Sequence, residues 1–191
     1  MVSLVDPEAG TLVATLRVAE QKPAEQLTSR DVAFSPDGSR LAISCFDNTV
    51  RVWDVATRTE ERALTGHGGS VYAVAFSPDG RLLASADRAG SVRVWDAAGW
   101  RPVAELKHRG TVYALGWSPD GSRLAAGCAD NAAHLWDTAT WQEVVELRGH
   151  GQYVHALAWS PDGTRLVTGS GDRTVRVWDS LSKQEQAARP P

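Results

Sequence analysis

Histidine, hydroxyl and carboxylate side chains occur together in this sequence, and nucleophilic catalysis uses these three groups in hydrogen-bonded series. The most complete set is His150, Thr168 and Asp172, and Trp178 follows it. The order of the set is tied to a repeat, its hydroxyl lies in a strand-like apolar segment, and its surroundings resemble neither a strained nucleophile turn nor an oxyanion hole. We therefore expect a structural role for the set and no catalytic residue in the chain.

Metal and cofactor chemistry are also poorly supported by the residue pattern. The chain has five histidines, namely His67, His108, His134, His150 and His155. They are spread over different repeat units, so the sequence predicts no ligand cluster. Cys45 and Cys128 lie in apolar segments without a CxxC companion, which indicates buried thiols rather than a disulfide or a metal pair. A glycine-rich phosphate loop is missing as well, and we expect neither a metal nor a cofactor.

Composition and charge favour a folded protein that binds other proteins. Of the 191 residues, 42% are apolar and 23% are charged, which supports a sizeable core. The net charge of −3, with an isoelectric point near 5.9, argues against a surface that neutralises nucleic acid. The first residues, MVSLVDPEAG, lack the basic region and the long apolar core of a secretory signal, and no segment approaches about 18 apolar residues. We expect a cytoplasmic protein that does not enter membranes.

A repeat of about 42 residues organises the chain. The tetrapeptide Ser-Pro-Asp-Gly occurs at residues 35–38, 77–80, 118–121 and 160–163, at intervals of 42, 41 and 42 residues. A Trp-Asp pair follows in step at residues 53–54, 95–96, 136–137 and 178–179. Spacing this regular indicates a repeat architecture, in which each unit is one supersecondary element.

Each unit reads as short strands separated by turn residues. The second full unit contains SVYAVAF, SPDG, RLLASA and SVRVWD, and the alternation within these segments predicts three strands, a, b and c. In the SPDG turn, Pro pre-sets φ near −65° and Gly accepts a positive φ, so the chain folds back tightly from strand a to strand b. A weaker strand d is marked by a leucine 11 residues beyond the Trp, at Leu64, Leu106 and Leu147.

The period, the Trp-Asp ending, the Gly-His pairs Gly66-His67 and Gly149-His150 and the four strands per unit together resemble the WD-repeat family of β-propellers. The resemblance covers roughly residues 1–179 and implies an all-β fold in which each unit is a blade of four antiparallel strands. Val5-Asp6 stands 11 residues before Leu16, so residues 2–6 and 11–18 read as strands c and d of an earlier blade. The predicted segments are the c–d remnant at 1–18, blade 1 at 19–64, blade 2 at 65–106, blade 3 at 107–147, strands a–c of blade 4 at 148–179 and a polar tail at 180–191.

Four blades and a remnant are expected to form an incomplete ring, because seven blades of this length would need about 290 residues. An open segment leaves two apolar blade faces exposed. Three arrangements cover them: the chain is the C-terminal part of a longer propeller, it completes a ring with a second chain, or it closes alone as a strained ring of four blades. The first is preferred, because in the second residues 11–18 would complete the partner's last blade but residues 2–6 would lack a place.

The family resemblance implies a hydrogen-bonded chain inside each blade, from a His before strand a through a Ser or Thr in strand b to the Trp of strand c, with an Asp of the b–c turn holding the His. Only His150, Thr168, Asp172 and Trp178 are expected to match it fully. Blade 2 has His67, Ser85 and Trp95 but Ala89 at the expected Asp position, blade 3 has Ala126 in place of the hydroxyl, and blade 1 keeps only Asp47 and Trp53, with Ile43 and Glu25 in place of the hydroxyl and the His.

The resemblance also implies that the wide face carrying the d–a and b–c loops is the usual docking surface for partners. Its candidate residues are Arg30, Tyr72, Tyr113 and His155 at one repeat position, Ser70, Thr111 and Tyr153 at a second, and Phe46 and Arg88 in the b–c turns. Tyr, Arg and Phe are typical of protein interfaces. The competing interpretation is that these side chains only cap the inner strands.

The sequence therefore predicts a non-catalytic protein–protein interaction scaffold, the C-terminal part of a larger WD-repeat regulatory or scaffold protein. Its partners would be proteins or peptides, with no nucleic acid and no membrane. The alternative is a structural half-propeller whose exposed terminal faces drive homo-oligomerisation, so that it completes a ring with a second chain.

Overall fold

The computed structural model describes residues 2–16 and 29–179, and all regular structure in these ranges is β-strand. A first sheet contains β1 (Val2–Val5) and β2 (Leu12–Leu16). Blade 1 contains β3 (Ser29–Phe34), β4 (Arg40–Cys45), β5 (Val50–Asp54) and β6 (Thr59–Leu64). Blade 2 contains β7 (Val71–Phe76), β8 (Leu82–Asp87), β9 (Ser91–Asp96) and β10 (Arg101–Lys107). Blade 3 contains β11 (Val112–Trp117), β12 (Arg123–Cys128), β13 (Ala132–Asp137) and β14 (Glu143–Arg148), and blade 4 contains β15 (Val154–Trp159), β16 (Arg165–Ser170) and β17 (Val175–Asp179).

The prediction of an all-β, open propeller segment is confirmed. Each blade is an antiparallel sheet whose strands are hydrogen-bonded in chain order, with four strands in blades 1–3 and three in the described part of blade 4. Neighbouring blades contact through their first strands, β3 with β7, β7 with β11 and β11 with β15. The predicted remnant strands at 2–6 and 11–18 correspond to the shorter β1 and β2, whereas residues 17–28 and the predicted tail at 180–191 lie outside the described residues.

The SPDG turns are built by side chains that hold the main chain. In blade 1, Ser35 Oγ donates to Asp37 Oδ1 at 2.6 Å and accepts from the amide of Arg40 at 2.9 Å, while Gly38 takes a φ of +71°. The hydrogen bond from Ser35, together with those from Ser39, lowers the pKa of Asp37 to about 2. The same Ser-to-Asp bond occurs in blades 2, 3 and 4 at 2.5–2.6 Å. Four similar turns therefore join strands a and b at the same point of each blade.

Apolar side chains from facing blades form the core. Between blades 1 and 2, Val50 and Val52 of β5 pack with Leu83 of β8 and Trp95 of β9, and none of the four exposes more than 4% of its surface. The equivalent residues of the next blades form the core between blades 2 and 3. Between blades 3 and 4, Leu135, Leu166 and Trp178 pack together at corresponding positions. Burying one such side chain contributes about 1.5–3 kcal/mol relative to leaving it in water. Stacking of blades is therefore what stabilises each sheet.

The two end faces of the stack are covered to different degrees. On blade 4, Val175 and Val177 are 70% and 63% exposed, although Val50 and Val52 at the same repeat positions are fully buried. On blade 1, the β1 residue Val2 packs against the cluster of Leu41, Ile43, Cys45 and Trp53. Val32 and Phe34 on the first strand of that blade are 46% and 53% exposed. In the described ranges the remnant sheet covers only part of one face, and the other face is open.

Within the same ranges, no helix of sufficient length and apolar character to cross a membrane occurs.

Candidate functional site

Blade 4 contains the predicted polar chain, and the structure brings its four members together. His150 donates from Nδ1 to Asp172 Oδ2 at 3.0 Å and accepts at Nε2 from the Thr168 hydroxyl at 2.8 Å. The indole N–H of Trp178 donates to the same Thr168 oxygen at 2.8 Å. The hydrogen bond from the Thr174 hydroxyl, with those from the Gly151 amide and from His150, outweighs the opposing effect of burial and shifts the pKa of Asp172 far below its usual range. The set thus ties the d–a loop, the b–c turn and strands b and c together.

Blade 2 also contains a complete chain, which corrects the expectation that blade 4 has the only one. The carboxylate comes from Asp87 at the end of strand b rather than from the turn position of Ala89. Its Oδ2 accepts from His67 Nδ1 at 2.8 Å, His67 Nε2 accepts from Ser85 Oγ at 2.6 Å, and Trp95 Nε1 donates to Ser85 Oγ at 2.9 Å. Sequence reasoning missed Asp87 because it assumed one position for the acid in every blade. The signal was an acid two residues after a strand b hydroxyl.

These His, hydroxyl and Asp groups have the connectivity of a catalytic triad, but their burial gives them a structural role. Ser85 and Asp87 are fully buried and His67 is 6% exposed, so a substrate cannot reach the hydroxyl. The Ser85 oxygen also accepts a hydrogen bond from the Trp95 indole, and the Asp87 carboxylate accepts hydrogen bonds from the amides of Gly68 and Ser91. Burial alone would raise the pKa of Asp87, but the hydrogen bonds from His67, Ser91 and Gly68 outweigh it and hold the pKa below its usual value. A buried, fully satisfied network of this kind rigidifies the blade.

Blade 1 lacks the hydroxyl of the polar chain, as the sequence predicted. Ile43 of β4 is fully buried where the other blades place a Ser or Thr. The indole Nε1 of Trp53 is buried and finds no hydrogen-bond partner in the part of the chain that the structure describes. Asp47 accepts from Thr49 at 2.5 Å and forms an ion pair with Arg51 at 3.1 Å. Glu25, the predicted substitute for the His, lies outside the described residues. Blade 1 therefore has a local polar cluster without a link to its Trp.

Blade 3 overturns the expectation that the histidines are dispersed. The ring centroids of His108 and His134 lie 4.6 Å apart, and Cys128 is next to both. His134 faces Glu143 at 2.7 Å and Asp130 at 2.9 Å with its two nitrogens. Burial, followed by the neighbouring His134, lowers the pKa of His108 to about 4. The sequence signal was present, since both histidines belong to one predicted blade, but they occupy different repeat positions.

The two cysteines are free buried thiols, as the sequence indicated. Cys45 and Cys128 have no exposed surface and form no disulfide. Burial, followed by the negative charge of Asp47, raises the pKa of the Cys45 thiol to about 11. Burial, followed by the charge of Asp130, also raises the pKa of Cys128 well above its usual value. Neither thiol is a reactive nucleophile in this state.

Five of the predicted docking residues form a continuous line of rings across blades 1–4, which we name the aromatic row: Phe46, Tyr72, Tyr113, Tyr153 and His155. Successive ring centroids are 5.6, 6.0, 5.3 and 5.9 Å apart. The guanidinium of Arg30 lies over the row, 4.3 Å from the Tyr72 centroid and 5.5 Å from that of Tyr113. Tyr153 is 42% exposed, and Arg30 and His155 are exposed as well. Side chains from four separate repeats thus make one surface.

The remaining predicted docking residues have different roles. Ser70 donates its hydroxyl proton to the carbonyl of Phe46 at 3.0 Å, and Thr111 donates to the carbonyl of Arg88 at 3.1 Å. Both hydroxyls therefore hold the b–c turn of the preceding blade. Arg88 is exposed in its turn. Tyr153 occupies the same repeat position as Thr111 but places its ring in the aromatic row. The residue at this position therefore holds a turn in blades 2 and 3 and forms part of the exposed surface in blade 4.

Comparison with known proteins supports the division of the chain into four repeats. The family model described as WD domain, G-beta repeat (WD40) matches residues 26–54, 58–96, 100–137 and 141–179, well over half of the chain. A shorter match is to the general transcriptional corepressor TUP1 of Saccharomyces cerevisiae, 38% identical over 52 residues. That match covers 27% of this chain and 7% of the yeast protein. The yeast protein is therefore much longer than the segment that it shares with this chain.

Proposed function

Because the chain belongs to the WD-repeat family, we propose that it is a non-catalytic platform that binds a protein or peptide partner across the aromatic row. Repeats of this family generally mediate protein–protein interaction, and this coarser role is supported by the four matched repeats. The finer proposal concerns which surface binds. Loops and strand ends are where scaffold folds place their binding residues, because the frame below them is fixed by packing.

The single observation that carries the proposal is the contact of the aromatic row with Arg30. Tyr72 and Tyr113 are half-buried and stacked on each other, and the Arg30 guanidinium lies over Tyr72. Side chains held in this way lose little conformational entropy when a partner binds. Tyr and Arg are also the side chains that most often carry the binding energy of interfaces. Capping of the inner strands alone would not require four blades to contribute neighbouring rings.

The wider context of the platform is a further part of the proposal. We infer that the chain is the C-terminal part of a larger regulatory or scaffold protein, since upstream blades that close a ring would cover both Val32 and Phe34 on blade 1 and Val175 and Val177 on blade 4. The matched yeast protein is described as a transcriptional corepressor, which agrees with a regulatory setting. The buried free thiols Cys45 and Cys128 support a reducing, cytoplasmic location. The acidic net charge of −3 favours protein over nucleic acid as the partner.

The docking surface is tested with the double variant Tyr72→Ala/Tyr113→Ala. A partner recovered by affinity capture on the wild-type chain is purified, and its dissociation constant is measured by calorimetry. Removing two central rings should weaken binding by about 2 kcal/mol, or roughly 30-fold. The matched control is Val103→Ala/Val144→Ala, which removes exposed apolar side chains from the outer strands β10 and β14. Equal affinity of the double variant and the wild type would contradict the assignment of this surface.

Ring completion with a second chain is the other function that an observation favours. Val175 and Val177 are exposed at positions that are fully buried in blades 1 and 2, and Val32 and Phe34 are exposed at the opposite end of the stack. Two copies could bury these faces against each other. Burial of this apolar surface would drive the association.

Light scattering at several concentrations tests this second function. A discrete dimer that Val177→Asp converts to monomer would support ring completion. The matched control is Val103→Asp, which makes the same substitution at a 47% exposed position on β10 of blade 2, away from the two end faces. A chain that stays monomeric at every concentration would exclude the half-propeller function.

A further inference from the structure

Three metal-ligating side chains of blade 3 converge in its interior. His108 precedes β11, Cys128 ends β12 and His134 lies in β13. Their candidate ligand atoms all lie within 4.8 Å of one another. Cys128 is fully buried and His134 is 5% exposed. The d–a loop and the strands β12 and β13 thus place two imidazoles and a thiol close together.

The repeat provides an internal comparison for this cluster. The positions equivalent to His108, Cys128 and His134 are His67, Asp87 and Arg93 in blade 2, and His150, Ser170 and Arg176 in blade 4. In both of those blades an acid and a hydroxyl satisfy the His. In the described blades, only blade 3 combines His, Cys and His at these positions. Cys128 in place of Asp87 and His134 in place of Arg93, together with Ala126 in place of Ser85, change a closed polar chain into a set of zinc-type ligands.

His108 also has an unsatisfied buried nitrogen. Its Nε2 is buried and makes no hydrogen bond to any residue that the structure describes. In blades 2 and 4 this nitrogen accepts from Ser85 or Thr168, but blade 3 has Ala126 at that position. A buried polar atom without a partner costs about 1–3 kcal/mol, and a bound ion is one of the recognised ways to remove this cost.

We propose that blade 3 binds one Zn²⁺ ion through His108, Cys128 and His134, with the Asp130 carboxylate as the fourth ligand. Imidazole nitrogen and thiolate sulfur are the donors that zinc prefers in tetrahedral structural sites. As the Zn–S bond forms, the Cys128 thiol releases its proton to solvent. Asp130 also lies within 4.8 Å of His134 and Glu146 in a second possible ligand group, so a carboxylate is available beside the cluster.

The geometry requires only a local contraction. Ligand atoms on a tetrahedral zinc are about 3.3–3.8 Å apart for bonds of roughly 2.0–2.3 Å, so atom pairs now separated by up to 4.8 Å must approach by at most about 1.5 Å. One nitrogen of His134 would keep a carboxylate partner, the arrangement that commonly orients zinc-bound histidines. The side chains of Asp130 and Glu143 are 24% and 44% exposed, which gives the ion a route from solvent. The ion would join the d–a loop to strands b and c, as the polar chain does in blade 2.

The first test measures metal binding directly. The full chain is treated with a chelator, exchanged into metal-free buffer and titrated with Co²⁺ as a spectroscopic probe. We expect one equivalent to bind, with a thiolate-to-cobalt charge-transfer band and the intense visible bands of a tetrahedral site, and we expect Zn²⁺ to displace it. Binding should also raise the unfolding temperature, because the folded blade alone presents the site. A chain that takes up no cobalt, or takes it up without a thiolate band, overturns the proposal.

Matched variants separate the site from effects on folding. Cys128→Ala should abolish the charge-transfer band and weaken zinc binding more than the roughly 10- to 100-fold that loss of an outer-sphere partner costs. His134→Arg installs the residue that blades 1, 2 and 4 carry at this position, so the fold should persist while zinc binding is lost. The control Cys45→Ala changes the equivalent cysteine of blade 1 and should leave cobalt binding unchanged. Unaltered binding in both blade 3 variants, or loss in the control, would show that the cluster is not the site.

Discussion

Blades 2 and 3 stand next to each other, share one strand order and one register, and yet have different interiors. Ser85 pairs with Arg93 across β8 and β9 as Ala126 pairs with His134 across β12 and β13. In blade 2 the serine completes a hydrogen-bonded chain to the Trp. In blade 3 the alanine leaves the buried Nε2 of His108 without a hydrogen-bond partner among residues 2–16 and 29–179.

The difference shows which residues specify a blade and which only tune it. The SPDG turns and the apolar residues that face neighbouring blades are alike in both units, and both sheets have four strands. The polar chain is therefore not required for the fold of a blade. It fixes side chains and loops relative to each other, and its positions are free to acquire other chemistry where it is broken.

Removing the acid of blade 2 should have the largest effect on this comparison. The Asp87→Ala variant takes the partner away from His67 and from the amides of Gly68 and Ser91, at a position with no exposed surface. We expect a loss of about 3–5 kcal/mol in the free energy of unfolding, measured by urea denaturation, because buried donors lose their acceptor. Arg88→Ala, the exposed next residue, is the control and should change it by less than about 0.5 kcal/mol. A loss for Asp87→Ala no larger than for this control would mean that blade 2 behaves like blade 3.

Acid should affect blade 2 through the same carboxylate. The pKa of Asp87 is held below its usual value in the folded state, so its contribution to stability is present above the unfolded pKa and is lost as the pH falls through the folded pKa. His67, Gly68 and Ser91 are the groups that face it. We expect the urea midpoint of the wild type to fall more steeply below about pH 4 than that of Asp87→Asn.

The Asp87→Asn variant keeps the shape and an acceptor for His67, and it should retain the part of the acid slope that comes from the turn aspartates. The pKa values of Asp37 and Asp162 are about 2, lowered first by the hydrogen bonds from Ser35 and Ser160. If the urea midpoints of the variant and the wild type fell in parallel with pH, the whole acid dependence would come from these turns and none from Asp87 of blade 2.

The sequence was sufficient for the fold because its strongest signals are local. An SPDG turn forms from its own Ser-to-Asp bond and a glycine at positive φ, and a Trp-Asp ending marks the last residue pair of strand c. Period and turn chemistry therefore locate the strands. The aromatic row was predicted as a set of residues, but the centroid spacings that make it one surface depend on how the blades stack.

The polar interiors were harder to predict, because similar bonds are made from different positions. Asp87 and Asp172 hold equivalent histidines from positions two residues apart in the repeat. His108 and His134 meet although neither one's repeat position predicts a contact between them. A linear alignment of units does not contain these contacts, since they follow from where each side chain points within the folded blade.

The smallest effect that we predict comes from giving blade 3 the missing hydroxyl. In Ala126→Ser, the new hydroxyl should donate to His108 Nε2, as Ser85 does to His67, and raise the free energy of unfolding by about 1 kcal/mol in chelator-treated protein. The control Ala125→Ser places a hydroxyl on the opposite side of β12, in the apolar contact with Leu166, and should destabilise the chain. Because the engaged His108 nitrogen is no longer free, the same variant should also weaken zinc binding. No gain in stability would mean that the unpaired nitrogen is not what separates blade 3 from blade 2.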